Sequence, residues 1–298
     1  MSATVIGAGL ELPTPETISG EGFAVEAVLS ELNQRIQVVD YRGDDLETMV
    51  EELENQGRER GFGKIFLKAP AFDREPLEAA GMCAEATIEG YFAGEPAVVM
   101  ASFLDDDRQL RPAADRQEEI LEAIRARPAD PSLPQLPAGY TMAVARPDDA
   151  EELSGLYGTV FASYPFPIVD PEYLLTTMAS HVVYRVLRNG DGAVVAAASA
   201  ETDPEHHNAE MTDFATRADQ RGLGLAQHLL AALESDMEER AIPNLYTIAR
   251  ARSAGMNRVF YNRGYDWTGT LVNNCHIAGR FEDMHVWCRA PAEPPATV

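Results

Sequence analysis

Lysine, cysteine and long apolar runs are all scarce in this sequence of 298 residues. Only two of the 24 basic residues are lysines, Lys64 and Lys68, and the rest are arginines. The three cysteines, Cys83, Cys275 and Cys288, are scattered and odd in number, which predicts neither disulfides nor a zinc site and favours a reducing cytoplasm. No apolar run approaches the ~18–20 residues that cross a bilayer, and the first residues do not read as a signal peptide.

Positive charge is scarce as well, because 48 acidic residues outnumber 24 basic ones and give a formal net charge of -24. This excess predicts no nucleic-acid or membrane partner, since both are bound through basic surfaces. It has two interpretations. One is a carboxylate surface that keeps a protein hydrated in a salt-rich cytoplasm, and the other is an acidic protein from a GC-rich genome that favours arginine. The 45% of hydrophobic residues predict a globular fold.

Periodicity and proline content divide the chain into four parts. After residues that are hard to assign, "RIQVVDY" is strand-like, and the next residues have apolar side chains at helical spacing. "RARPADPSLPQLPAG" has four prolines and no periodicity, which is typical of a linker. We predict an N-terminal extension over 1–33, a smaller α/β domain over 34–124, a proline-rich linker over 125–139 and a larger domain over 140–290.

The larger domain reads β α α β β β α β α β β, which predicts an α/β (α+β) fold with a mixed, mostly antiparallel sheet flanked by helices. The smaller domain repeats part of this order. "LETMVEELENQGRERGFGKIFLKAP" and "LAALESDMEERAIPNLYTIARA" both describe a long helix followed by a strand. The smaller domain is either a degenerate copy of the larger one that lost its anion-binding loop, or an unrelated domain with generic α/β patterning.

A glycine-rich turn lies between strand 208–216 and an apolar helix, in "DFATRADQRGLGLAQHLL". A strand, a glycine turn and a helix start present backbone N–H groups to an anion. Charge agrees, because residues 213–263 hold seven arginines and only six acids in an otherwise acidic chain. The turn is neither a P-loop, which needs GxxxxGK[ST], nor a dinucleotide-binding loop, whose strand would be continuously apolar.

The run "RGLGLA" after a strand resembles the pyrophosphate loop of the GNAT superfamily of N-acetyltransferases, and the element order of 140–289 is similar to that fold. The resemblance implies acetyl-CoA as the co-substrate and no metal. It implies a pantetheine arm paired with strand 208–216 and a pyrophosphate on the loop. The cofactor-binding residues it implies are Phe214, Ala215, Thr216, Arg221, Gly222, Leu223, Gly224, Leu225, Ala226 and Asn257.

Acetyl transfer needs a neutral amine, and a lysine-type ammonium with a pKa near ~10.4 must first lose a proton to a base. Strand alternation puts Glu210 on the face shared with Phe214 and Thr216, and Asp213 on the opposite face as the weaker candidate. Glu210 also resembles the glutamate of histone-acetylating members of the superfamily. Phe260 occupies the customary place of the tyrosine acid. Tyr261, another tyrosine or water therefore remain as the general acid, with core packing as the alternative role of Tyr261.

Several stretches resemble the β-lysine N-acetyltransferase family more closely, namely "EMTDFAT", "YTIARARSAGMN", "FYNRGYDWTGTLVNN", "EDMHVW", "GKIFLKAP" and "EATIEGYFAG". This resemblance implies acetylation of the terminal amine of β-lysine to N6-acetyl-β-lysine, a compatible solute for salt stress. Asn273, Asn274 and Glu282, with Asp283, lie in the final hairpin, where GNAT proteins often form the acceptor site. Cys275, His276 and His285 depart from the family's usual residues, and these changes would tune the acceptor pocket.

The same residues are compatible with other functions. The chain could acetylate another small amine such as lysine or a diamine, or a protein N-terminus, or it could be a non-catalytic acyl-CoA-binding module. The adjacent His206 and His207 diverge in an extended chain, so they do not predict a metal site. Cys275 lacks a recognisable partner for nucleophilic catalysis. The sequence leaves the oligomeric state open, with a homodimer as one option.

Overall fold

The structure is a computed structural model and describes residues 15–289. Residues 1–14 of the predicted extension and residue 290 of the predicted larger domain lie outside this range. None of the helices in the described range is long and apolar enough to cross a membrane.

The elements in chain order are β1 (Glu16–Gly20), β2 (Phe23–Ser30), β3 (Arg35–Gly43), α1 (Leu46–Glu59), β4 (Lys64–Pro70), α2 (Arg74–Ala79), β5 (Cys83–Phe92), β6 (Glu95–Phe103), α3 (Asp106–Gln109), α4 (Ala114–Arg125), β7 (Thr141–Val144), α5 (Ala150–Val160), α6 (Pro171–Met178), β8 (Val182–Arg188), β9 (Val194–Asp203), β10 (Asn208–Thr216), α7 (Leu225–Glu239), β11 (Asn244–Arg250), α8 (Ala254–Asn262), β12 (Asp266–Ile277) and β13 (Arg280–Arg289).

The first sheet has six strands in the order β1-β2-β3-β4-β6-β5. Strands β3 and β4 are parallel, and α1 connects them across one face of the sheet. Helix α1 forms here because Met49, Val50 and Leu53 are spaced at helical intervals and are fully buried against the sheet. The Asp45 side chain accepts a hydrogen bond from the backbone N–H of Thr48 and caps the helix.

The second sheet has seven strands in the order β12-β13-β11-β10-β9-β8-β7. Only its β10–β11 pair is parallel, and α7 connects these two strands. Helix α7 buries Leu229, Leu230, Leu233 and Met237 completely, because these residues share one face. The predicted fold class, a mixed and mostly antiparallel sheet flanked by helices, is confirmed.

The two sheets have the same topology apart from β7. The order β1-β2-β3-β4-β6-β5 corresponds strand for strand to β8-β9-β10-β11-β13-β12, with the same parallel pair in each. In each pair, parallel register holds for only three residues, Arg35–Gln37 with Lys64–Phe66 and Asn208–Glu210 with Asn244–Tyr246. The smaller domain therefore has the topology expected of a degenerate copy of the larger one.

The first sheet with its helices (residues 16–103, called the first copy for its topology) and the second sheet with its helices (residues 141–289, the second copy) differ at the residues that matter for chemistry. Eight residues connect β10 to α7, whereas two acidic residues, Asp44 and Asp45, connect β3 to α1. Gln37 occupies the register position that Glu210 holds in the second sheet. The first copy therefore has neither the glycine loop nor a carboxylate at the position of the predicted base.

The two sheets pack against each other through a shared apolar layer. It joins β4–β6 residues such as Phe66 and Ile88 to β11–β13 residues such as Leu271 and Met284. A buried ion pair between Lys64 and Glu85, 2.7 Å apart, extends this layer. The Lys64 ammonium also donates to the Val272 carbonyl (2.8 Å), and the Glu85 carboxylate accepts from the Val272 N–H (2.7 Å). Both backbone polar groups of Val272 in β12 are thus hydrogen-bonded to side chains of the first copy.

Two sequence predictions need correction. The extension predicted over 1–33 is wrong for residues 16–30, which form β1 and β2. Its signal was the alternation of "FAVEAVLS", which buries Phe23, Val25 and Ala27. Helix α4 lies before the predicted linker but packs into the second core through Leu121 and Ile124. Between Arg125 and Thr141 the chain has no helix or strand.

Candidate active site

A cleft opens where β10 and β11 separate. Their pairing stops after Glu210 and Tyr246, and a register shift between β9 and β10 follows Thr212. An outer cavity of about 530 Å³ and an inner cavity of about 80 Å³ lie along the cleft. The two cavities are continuous, because they share five lining residues, Phe161, Phe214, Arg250, Ser253 and Met256.

The outer cavity ends at the glycine loop. Gly222 and Gly224 have φ angles of 84° and 73°, which glycine adopts without strain, and Gly224 is the N-cap of α7. Within residues 15–289, the N–H groups of Gly222 and Gly224 have no hydrogen-bond acceptor. The first N–H groups of α7 also point out of the helix end, as at any helix start. The loop therefore offers a set of unpaired donors to an anion.

The charge around the outer cavity is positive. Arg221 and Arg250 line it, and neither forms an ion pair with any residue in the described range. No carboxylate is among the lining residues of this cavity. In a chain with a net charge of -24, this is a local basic site, and it fits the pyrophosphate of acetyl-CoA.

Most of the cofactor-binding residues predicted from sequence lie at the cleft. Phe214 and Thr216 line it from β10, and Arg221, Gly222, Gly224, Leu225 and Ala226 line it from the loop and α7. Ala215 instead is buried in the sheet opposite Ala197, and Leu223 is partly exposed beside the loop. Asn257 lies elsewhere. Its side-chain amide donates to the Arg250 and Ser253 carbonyls and accepts from Trp287, so its polar groups are used inside the protein.

Gly224→Ala should weaken acetyl-CoA binding more than Gly222→Ala, as measured by isothermal titration calorimetry. Both positions have positive φ, so each alanine costs about 1 kcal/mol in backbone strain. A Cβ at Gly224 would also clash with the Pro134 ring, whereas a Cβ at Gly222 meets nothing within 4 Å. Adding Pro134→Ala to Gly224→Ala should recover the extra loss of affinity and bring it to the level of Gly222→Ala. Equal losses in the two alanine variants would show that the Pro134 contact does not shape the loop.

Glu210 lies on β10 at the last position paired with β11, half-buried and opposite Tyr246. Burial, the largest cause, raises the pKa of its carboxyl group from 4.5 to about 7, and the nearby carboxylates of Glu201 and Asp213 raise it further. Lys68, from the first copy, and a hydrogen bond with Tyr246 lower it. Such a carboxylate can accept a proton near neutral pH.

Asp213 is the second carboxylate at the cleft, and its predicted position is wrong. The register shift after Thr212 breaks the strand alternation, Asp213 adopts a φ of 53°, and it lines the inner cavity instead of facing away. Its two oxygens accept hydrogen bonds from Tyr164 (2.7 Å) and Ser199 (2.6 Å). Burial raises its pKa as well. Glu210 is not among the lining residues of the inner cavity. Its carboxylate has fewer hydrogen-bond donors around it than that of Asp213.

The predicted general acid is not at the cleft. Tyr261 packs edge-on against Trp287 beneath the Arg258 guanidinium, and it lines neither cavity. Phe260, Met256 and Ser253 face the cleft from the α8 region instead. Successive helix residues point about 100° apart, and packing of α8 against α4 directs Tyr261 toward the core. Four residues with hydroxyl groups line the inner cavity, namely Tyr164, Thr212, Thr247 and Ser253.

Two of the predicted acceptor residues of the final hairpin, Asn273 and Asn274, bind segments of the chain that precede the second sheet. The Asn273 side chain donates to the carbonyls of Arg108 and Leu110, and the Asn274 carbonyl accepts from Arg35. Glu282 pairs with Arg280. None of Asn273, Asn274 and Glu282 lines either cavity.

The residues that depart from the family pattern are also structural. His285 is buried beside Asn257, and burial lowers its pKa to about 4. Cys275 lies 3.6 Å from an Arg35 nitrogen. His276 contacts Ser163 through a ring nitrogen, 3.4 Å from the hydroxyl. No group of three or more metal-ligating side chains occurs in the described range.

Comparisons with known proteins agree with this geometry. Residues 150–265 match the Acetyltransferase (GNAT) family. A β-lysine N(6)-acetyltransferase of Methanococcus maripaludis is 35% identical over 87% of this chain and 93% of its own. N-acetyltransferase YodP of Bacillus subtilis is 38% identical over 89% of this chain and 96% of its own. A β-lysine N(6)-acetyltransferase of Methanosarcina mazei is 33% identical over 76% and 91%.

Among solved structures, YncA of Salmonella typhimurium with acetyl-CoA is 17% identical, covers 53% of this chain and 97% of its own, and has a TM-score of 0.45. The larger domain carries the donor loop and the cleft, and the full-length relatives align with both copies. The chain therefore belongs to the GNAT acetyltransferase family and is an acetyl-CoA-dependent N-acetyltransferase.

Proposed function

We propose that this enzyme transfers acetyl from acetyl-CoA to the terminal amine of β-lysine and forms N6-acetyl-β-lysine. One observation carries the choice of acceptor. Two relatives named β-lysine N(6)-acetyltransferase align with at least 91% of their own length, and the alignment includes the first copy as well as the catalytic domain. A relative that shared only the acetyl-CoA site would not support one acceptor over another.

The charges at the inner cleft support a cationic acceptor. Glu210 on β10 lies directly opposite Glu201 on β9, and Asp213 lines the inner cavity on the same strand. Like charges opposite each other in a sheet repel, so a bound ammonium would relieve the repulsion. β-Lysine carries two ammonium groups, and it would enter a site with three nearby carboxylates. A neutral or acidic acceptor would gain nothing from this arrangement.

The chemical step requires removal of a proton from the acceptor's ammonium. Acetyl-CoA, when bound, supplies the activated acyl thioester. Phe214 and Thr216 of β10 and Arg221, Gly222 and Gly224 of the loop would hold it. We assign the general base to Glu210, directly or through one water, because its carboxylate titrates near neutral pH. Asp213 is the alternative base, although both of its oxygens already accept hydrogen bonds.

The proposed product would serve as a compatible solute in the cytoplasm of a cell under salt stress. The acidic composition supports this role, because a carboxylate-rich surface keeps a protein hydrated at high salt.

Acceptor specificity is measured by mass spectrometry of the purified enzyme with acetyl-CoA and one amine at a time. The panel contains β-lysine, α-lysine, ornithine and a peptide with a free N-terminus, each at low and at molar salt. We expect β-lysine to have the highest kcat/KM and to gain one acetyl group at its terminal nitrogen. Preference for another amine would overturn the choice of acceptor, while acetylation of none would overturn the proposed reaction.

A further inference from the structure

The two lysines of the chain lie on the same strand of the first copy and face the second sheet. Lys64 and Lys68 are four residues apart on β4, so they share one face. Every other basic residue of the chain is an arginine. Lys64 forms the buried ion pair with Glu85 that clamps β12. Lys68 has no carboxylate partner of this kind in the described range.

Lys68 extends from the first copy to the base of the second. Its ammonium lies 3.0 Å from the Tyr246 hydroxyl and 3.3 Å from the Tyr91 hydroxyl. It also lies over both rings, 5.2 Å from the centroid of Tyr246 and 4.8 Å from that of Tyr91. Within residues 15–289 it forms no ion pair. Its donors are therefore directed at tyrosines and not at a carboxylate.

Tyr246 connects Lys68 to the base. It is the register partner of Glu210 across the parallel β10–β11 pair, so the two side chains project from the same face of the sheet. An ammonium can only donate, so the Tyr246 oxygen accepts from Lys68 and its O–H remains available to a neighbouring acceptor. Donation from Lys68 through Tyr246 therefore runs toward the Glu210 carboxylate.

We propose that Lys68 is a positioning residue for catalysis: the first copy supplies, through Tyr246, the cation that keeps Glu210 ionised and oriented as the base. The proposal rests on the assignment of Glu210 in the proposed function. It gives the first copy a role in the reaction, although that copy has neither the glycine loop nor a carboxylate at the corresponding position.

Other groups near Glu210 shift the pKa of its carboxyl group in both directions. Burial is the largest effect and favours the neutral carboxyl group, and the Glu201 and Asp213 carboxylates act in the same sense. Lys68 and Tyr246 favour the ionised form. Without Lys68, the remaining effects would leave Glu210 protonated over more of the neutral pH range. The titratable or charged groups that surround it are Lys68, Tyr91, Tyr164, Glu201, Asp213 and Tyr246.

The test is the pH dependence of kcat at saturating substrates in Lys68→Met, Lys68→Arg and Glu201→Gln. Wild type should show an acid limb near pH 7. In Lys68→Met the limb should move up by about one pH unit, which lowers kcat about tenfold below the limb and leaves the alkaline plateau unchanged. Lys68→Arg keeps the positive charge, so its acid limb should stay near pH 7. Glu201→Gln should move it down, because this change removes a negative charge next to Glu210.

The same titration can be measured without an acceptor, which separates this proposal from the proposed function. Difference infrared spectroscopy follows the carboxylate band that disappears in Glu210→Gln. That band should titrate at higher pH in Lys68→Met whichever amine the enzyme acetylates. Tyr246→Phe provides a second route if Lys68→Met does not fold, since it removes the connecting hydroxyl and should move the band in the same direction. A uniform loss of kcat with an unmoved limb and band would overturn the proposal.

Discussion

Glu210→Gln should lower kcat by about 10²–10⁴-fold and leave the dissociation constant of acetyl-CoA unchanged. Glutamine has nearly the same shape as glutamate but cannot accept the proton of the acceptor's ammonium. The glycine loop lines the outer cavity, and Glu210 is not among the lining residues of that cavity. Steady-state kinetics give kcat, and calorimetry gives the dissociation constant. The acid limb near pH 7 should also disappear from the profile.

Asp213→Asn is the matched comparison for this prediction. Asp213 is the other carboxylate of the inner cleft, and its oxygens are held by Tyr164 and Ser199. We expect a smaller loss of kcat and an acid limb that persists near pH 7. If Asp213→Asn abolished the limb and Glu210→Gln retained it, the roles of the two carboxylates would have to be exchanged.

Stability provides a second measurement on Glu210→Gln with a defined sign. Folding raises the pKa of Glu210 from 4.5 to about 7. The contribution of this group to stability is therefore present below pH 4.5 and is lost as the pH rises through about 7. Glutamine never ionises, so the variant should unfold at a higher temperature than wild type at pH 8 and at nearly the same temperature at pH 4. Thermal unfolding at both pH values would also show that the loss of kcat is not a folding defect.

Lys64→Met should destabilise the protein by about 3–5 kcal/mol, because it leaves the Glu85 carboxylate buried without its cation. The Lys64 side chain is fully buried and that of Glu85 is 4% exposed. Burial lowers the pKa of Lys64, while its ion pair with Glu85 raises it. The change also removes the donor to the Val272 carbonyl at the contact between the two copies. Chemical denaturation gives the free energy of unfolding.

Two variants separate the charge effect from general damage. Arg74→Met breaks an exposed i,i+4 pair with Glu78 on α2 and should cost at most about 0.5 kcal/mol. The double variant Lys64→Met with Glu85→Leu removes both buried charges and should recover much of the lost stability, since a well-packed apolar pair can replace a buried ion pair. A double variant no more stable than Lys64→Met would show that the ion pair is not the source of the loss.

The sequence by itself predicted where the glycine loop of this protein lies. "RGLGLA" between a strand and an apolar helix is a contiguous signal, and its glycines, its arginine and the helix start lie together because they are neighbours in the chain. Helical and strand periodicity likewise predicted the order of elements in the larger domain. The sequence also placed Glu210 on β10 as a candidate base, but the alternation used to group it with Phe214 is interrupted by the register shift after Thr212.

Only the tertiary structure decided which side chains reach the cleft and which hold the copies together. Phe260 lines the cleft and Tyr261 does not, because packing against α4 sets the rotation of α8. Asn273 and Asn274 bind segments far away in sequence instead of lining a cavity. Lys68 lies near Glu210 because two sheets of the same topology pack face to face. Contacts of this kind depend on register and packing between distant segments, which no local pattern encodes.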